Sequence, residues 1–157
     1  MSDTRARSTR GFSLLEVVIV VAIIAILAAI GIPRMSRGSA GANDAAVSGN
    51  LSVLRSAIDL FAAEHGGAFP TAATCADQLT LYTDVSGTTS ATKTGGYIYG
   101  PYLCSVPPLT VGARRGQSGI AAADANDVGW IYDDTTGDIR ANTTTETDDA
   151  GVLYSDY

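Results

Sequence analysis

Apolar positions change their spacing along the chain, and each change marks a predicted element. From Phe12 to Ile32 the sequence is almost continuously apolar, with Glu16 as its one charged residue. As a helix this run is about 31 Å long, the thickness of a hydrocarbon core. Residues 34–50 are rich in Gly, Ser and Ala, which lowers helix propensity. A helical period then emerges. Val47, Leu51, Leu54, Ile58 and Phe61 recur at steps of three and four, giving one apolar stripe, with Asp44, Arg55, Asp59 and Glu64 off it or beside it. His65-Gly66-Gly67 predicts the stop, an imidazole followed by glycine.

The remainder reads as shorter pieces. Cys75 to Leu81 predicts a short helix with Ala76, Leu79 and Tyr82 on one face. Residues 83–96 are Thr/Ser/Gly-rich and predict an exposed loop. Tyr97 to Cys104 alternates like a strand, but Gly100-Pro101 interrupts it. Val106 to Gly119 reads as a loop, carrying Arg114-Arg115 as a solvated charge pair or a contact for an acidic patch on a neighbouring copy. Val128 to Tyr132 and Asp138 to Asn142 flank an Asp/Thr/Gly turn, the pattern of an antiparallel hairpin, which Trp130 should anchor on the helix stripe. The tail from Thr143 to Tyr157 is expected to be partly mobile.

Together these predict an α+β fold. A long N-terminal helix, membrane-spanning in its first half and amphipathic in its second, packs on a small C-terminal domain with an antiparallel hairpin or sheet. The expected segments are a basic leader at 1–11, the hydrophobic helix at 12–33, its amphipathic half at 34–66, and a globular head at 67–157.

Length allows one small domain and an anchor, since the chain has 157 residues. Its net charge of −6 makes nucleic acid an unfavourable partner. The leader, with Arg5, Arg7 and Arg10 against Asp3, is the basic exception, so removing it leaves a more acidic chain. The two cysteines, Cys75 and Cys104, lie beyond the anchor, and an even count in an exported domain predicts a disulfide. Such a bridge would contribute roughly 3–4 kcal/mol in the chain-entropy model; two separate thiols are the other reading. With His65 as the single histidine and no CxxC, a Cys/His zinc site is not available. No Gly-x-Ser-x-Gly elbow, phosphate loop or dinucleotide fingerprint is present, so the chain reads as structural rather than enzymatic, with no required cofactor.

The N-terminus carries the sharpest signal. A secretory signal places its small-residue cleavage site after the apolar segment. Here Gly11 precedes it, so cutting there would leave the hydrophobic segment on the mature chain. Glu16 inside a spanning segment would cost roughly 2–3 kcal/mol, which makes it a functional candidate, although a position at the interface would let it reach water. Gly11, Phe12 and Glu16, with Pro33 after the run, resemble the N-terminus of type IV pilin-like proteins, the pilins and the pseudopilins of type II secretion.

That resemblance implies a filament subunit. A prepilin peptidase would cut after Gly11 and methylate the amine of Phe12. Glu16 would pair with that amine on a neighbouring subunit, and Pro33 would break the helix. Partners would be other copies of the chain, minor pilin-like subunits, an inner-membrane assembly platform with its cytoplasmic ATPase, and the membrane before assembly. The protein would sit in the bacterial inner membrane with its head outside the cytoplasm, then enter a periplasmic pseudopilus or a surface pilus. The Gly-Trp-Ile-Tyr-Asp hairpin looks like that of a major pseudopilin, whose C-terminal loops commonly hold calcium. Asp124, Asp127, Asp133 and Asp138 are the corresponding candidate ligands, although their spacing is not that of an EF-hand and solvated turn residues are the simpler reading. A reading from another class is a membrane-anchored binding domain that never polymerises.

Overall fold

The computed structural model describes residues 12–157, with the side chains of residues 31–40 outside the description. The chain divides into compact units at residues 1–39 and 40–157. Helix α1, Leu14–Glu64, contributes to both.

In the larger unit the predicted stripe becomes the core. Val47, Leu51, Leu54, Ile58 and Phe61 are each at most 2% exposed. Burying a side chain of this size stabilises by roughly 1.5–3 kcal/mol. The helix ends where expected: Gly67 N–H reaches back to Ala62 O at 2.7 Å, and Gly66 and Gly67 take φ of +68° and +90°. Those left-handed values satisfy terminal carbonyls at little steric cost only for glycine.

Helix α2, Cys75–Thr80, forms as predicted but buries a different face: Cys75, Gln78 and Leu79 rather than Ala76, Leu79 and Tyr82. The reason is that Gln78 finds partners inside. Its Oε1 accepts from Thr71 N–H at 2.8 Å, and its Nε2 donates to Gly87 O at 2.8 Å. A satisfied amide can be buried cheaply.

The predicted loop at 83–96 contains a small hairpin. Strand β1, Tyr82–Thr83, pairs antiparallel with β2, Thr89–Ser90. Asp84 Oδ1 gathers the turn by accepting from Ser86 N–H and Thr88 N–H, both at 2.9 Å. Two-residue strands show no periodicity, so nothing marked them in advance.

The main sheet has the order β3-β4-β5. Strands β4, Val128–Asp133, and β5, Asp138–Ala141, form the predicted antiparallel hairpin, pairing Trp130 with Ala141 and Tyr132 with Ile139 on the core face. Trp130 is fully buried, and its indole donates to Pro107 O at 2.8 Å. Strand β3, Gly119–Ala121, was not foreseen and runs parallel to β4. Gly129 permits the close approach of the segment before β3, because a Cβ there would lie 2.2 Å from Gln117 O.

The tail is held, contrary to the expected mobility. It ends in a 3-10 turn, Tyr154–Asp156, with Tyr154 5% exposed. Arg55 donates to Tyr157 O at 2.7 Å and Ile139 O at 3.2 Å, and Tyr154 hydroxyl donates to Asp44. Side chains off the helix stripe thus secure residues that look loose by composition.

Candidate functional site

The N-terminal unit presents an uncovered apolar helix. From Phe12 to Ile30 its large apolar side chains remain about half exposed or more, among them Phe12 at 80%, Ile24 at 58% and Leu27 at 64%. Glu16 is exposed in the first turn of α1, with its own N–H and that of Val17 directed to Ser13 O at 3.1 and 3.2 Å. Ser13-Leu14-Leu15-Glu16 has the spacing of a capping box, and a carboxylate here is favoured by the positive end of the helix dipole. The bonds formed here are main chain to main chain, and the uncovered carboxylate is open to a partner. Gly11 lies outside the described residues, and Pro33 falls within α1 at a position whose side chain is outside the description. Among the described residues no helix is long and apolar enough to cross a membrane.

The two cysteines have opposite environments and are both free. Cys75 is buried and Cys104 exposed. The expected bridge between them is therefore not formed in this structure. Burial, with a smaller contribution from the Asp134 charge, pushes the Cys75 thiol up to about 12, which suits an inert packing residue.

His65 closes the end of α1. Its Nδ1 lies 2.8 Å from Phe61 O and its Nε2 2.9 Å from Asp84 O, and the ring stacks on Phe61 at 3.8 Å. Both nitrogens are engaged by main chain, so the imidazole ties the helix end to the β1 turn, the structural role its position predicted.

The candidate calcium ligands do not converge. Among the described residues no three His, Cys, Asp or Glu side chains are grouped to hold a metal ion. Asp124 lies at the open end of the hairpin, beside Asn142, which donates to it at 2.8 Å. Asp133 and Asp138 pair with each other at the turn end. The length of β4, roughly 17 Å, separates the two groups. Asp133 is committed to its own turn, accepting from Thr135 N–H at 2.9 Å. The Thr135 hydroxyl first, then that N–H, hold its carboxyl below the usual range.

Arg115 is exposed, as expected of a solvated charge, but Arg114 has a partner within the chain that sequence reading did not anticipate: it forms a two-pronged bond to Asp124, Nε to Oδ1 and Nη2 to Oδ2, both at 2.9 Å. Asp124 is held below the ordinary carboxylate range, chiefly by Arg114 and then by Asn142. No local pattern could have marked this pair, since its partners sit on different loops.

Residues 6–32 match the family model described as the prokaryotic N-terminal methylation motif. No curated protein and no solved structure matches the chain. The matched segment contains Gly11, Phe12 and Glu16 and coincides with the start of the uncovered helix. It supports a type IV pilin-like N-terminus, the kind processed by a prepilin peptidase and assembled with other pilin subunits.

Proposed function

We propose that this chain is the major pseudopilin of a type II secretion system, a subunit that polymerises through α1 after cleavage behind Gly11 and methylation of Phe12. The observation that carries the filament reading is the combination of the methylation motif with a helix that stays apolar and uncovered. Such a surface requires lipid first and other stems later. Glu16 then gains a positive partner in the amine of a neighbouring Phe12, which offsets the cost of removing both charges from water. The Trp130 hairpin favours a pseudopilin over an extracellular type IV pilin. A cytoplasmic ATPase and an inner-membrane platform drive the extraction from lipid.

Mass spectrometry of the native N-terminus tests processing. The expected result is methylated Phe12; a chain beginning at Met1 would overturn the reading in favour of an anchored binding domain. Glu16→Ala should be processed normally but fail to form filaments in micrographs of overexpressing cells. Normal filaments would remove the pairing role. Filaments of the wild type that extend far beyond the envelope without overexpression would favour the pilus.

A further inference from the structure

A calcium site in the C-terminal loops, which the pseudopilin resemblance implies, needs several oxygen atoms free to converge on one ion. The donor set here does not fit. Asp124 Oδ1 accepts from Arg114 Nε at 2.9 Å and Asn142 Nδ2 at 2.8 Å, and its Oδ2 accepts from Arg114 Nη2 at 2.9 Å. Asn126 Oδ1 accepts from Arg114 Nη1 at 3.0 Å. The Asp124 carboxylate and the Asn126 amide oxygen are thus already turned to one guanidinium, which leaves the Asp127 carboxylate as the one acidic side chain of this segment not bonded to it, too few for a calcium shell. Asp133 and Asp138 are at the far end of the hairpin and cannot complete the set.

The guanidinium is also well placed to act as a strap. Its loop is closed by Gly116 N–H to Leu109 O at 2.7 Å and Leu109 N–H to Gln117 O at 2.9 Å. Asn142, 8% exposed, donates to Val128 O as well as to Asp124. Arg114 therefore joins the loop before β3, the loop after it and the end of β5. Its side chain is 25% exposed, and Asp127 adds attraction from one side. A fork of this geometry holds a carboxylate in both distance and orientation, and arginine keeps its charge at any working pH.

We propose that Arg114 is the resident cation of this corner of the head, holding residues 124–127 against Asn142 in place of a divalent metal. The corner is then complete without calcium. Because the cation is covalently attached, its occupancy does not vary with ion concentration, as a bound metal's would.

Melting of the full chain in detergent micelles, with excess calcium or with chelator, tests the first half. The same Tm in both is expected, and a Tm raised by calcium would overturn the proposal. Amide exchange tests the second half. Arg114→Gln should speed exchange severalfold across residues 122–127 and at Asn142, while Arg114→Lys, which keeps charge but loses the fork, should fall between. Unchanged exchange in Arg114→Gln would overturn the strap. Asp124→Asn should add little in the Arg114→Gln background, and a fully additive effect would refute the pairing. None of these outcomes depends on whether the chain polymerises.

Discussion

Residues 14–30 and residues 47–61 belong to the same helix, yet their apolar side chains end in opposite surroundings. Ile19, Ile24 and Leu27 are 51–64% exposed, whereas Val47, Leu51 and Leu54 are at most 1% exposed. The difference is in pattern more than in apolar content. The first stretch is apolar on every side, so no orientation of it could satisfy both a core and water. The second is apolar on one side, with Ser48, Ser52, Ser56 and Asp59 exposed. One-sided hydrophobicity is covered by the chain's own domain. All-round hydrophobicity is left uncovered, and it lies in the segment that carries the methylation motif.

Matched substitutions sharpen that contrast. Leu54→Ala should destabilise the larger unit by about 2–5 kcal/mol through loss of buried contacts and the cavity left behind, read as a lower denaturation midpoint. Gly129→Ala should cost about 1–3 kcal/mol, because the new methyl meets Gln117 O and forces the strand off its neighbour. Arg55→Ala should cost about 1–3 kcal/mol and speed amide exchange at residues 154–157, since two carbonyls lose a charged donor.

Acid should have a smaller, graded effect. Asp124, Asp133 and Asp148 are all held below their ordinary value, by Arg114, the Thr135 hydroxyl and the Tyr157 hydroxyl respectively. Their folded values lie under the unfolded one of about 3.9, so their stabilisation is present above that pH and is lost as pH falls through the folded values. Tm should therefore decline below about pH 4, and Asp124→Asn should flatten part of that decline. Leu27→Ala, the partner of Leu54→Ala on the uncovered stretch, should change the stability of the larger unit by less than about 0.5 kcal/mol. A loss comparable to that of Leu54→Ala would break the comparison.

Features written in local spacing were legible. The stripe, the helix stop at Gly66-Gly67, the short helix from Cys75 and the Trp130 hairpin all follow from periods of three to four, periods of two, or turn residues. Strand β3 was not legible, because three residues carry no period and its parallel pairing joins segments by contact alone. The partner of Arg114 and the anchoring of the tail escaped the sequence because each is held by a residue on another element, Asp124 across β3 for the first, Arg55 and Asp44 on α1 for the second. The cysteines show the same limit, since an even count says nothing of whether two thiols face each other.

By itself the sequence determined the α+β class, the division between uncovered and covered helix, and the motif around Gly11, Phe12 and Glu16. These depend on residue order over a few helical turns, where hydrophobic periodicity and short-range chemistry act. Only the tertiary structure decided which carboxylates gather and which stay apart, which side of α2 is buried, and that the acidic corner at Asp124 already holds its cation. Those outcomes depend on hydrogen bonds and charges brought within 3 Å by packing, and no spacing along the chain encodes that proximity.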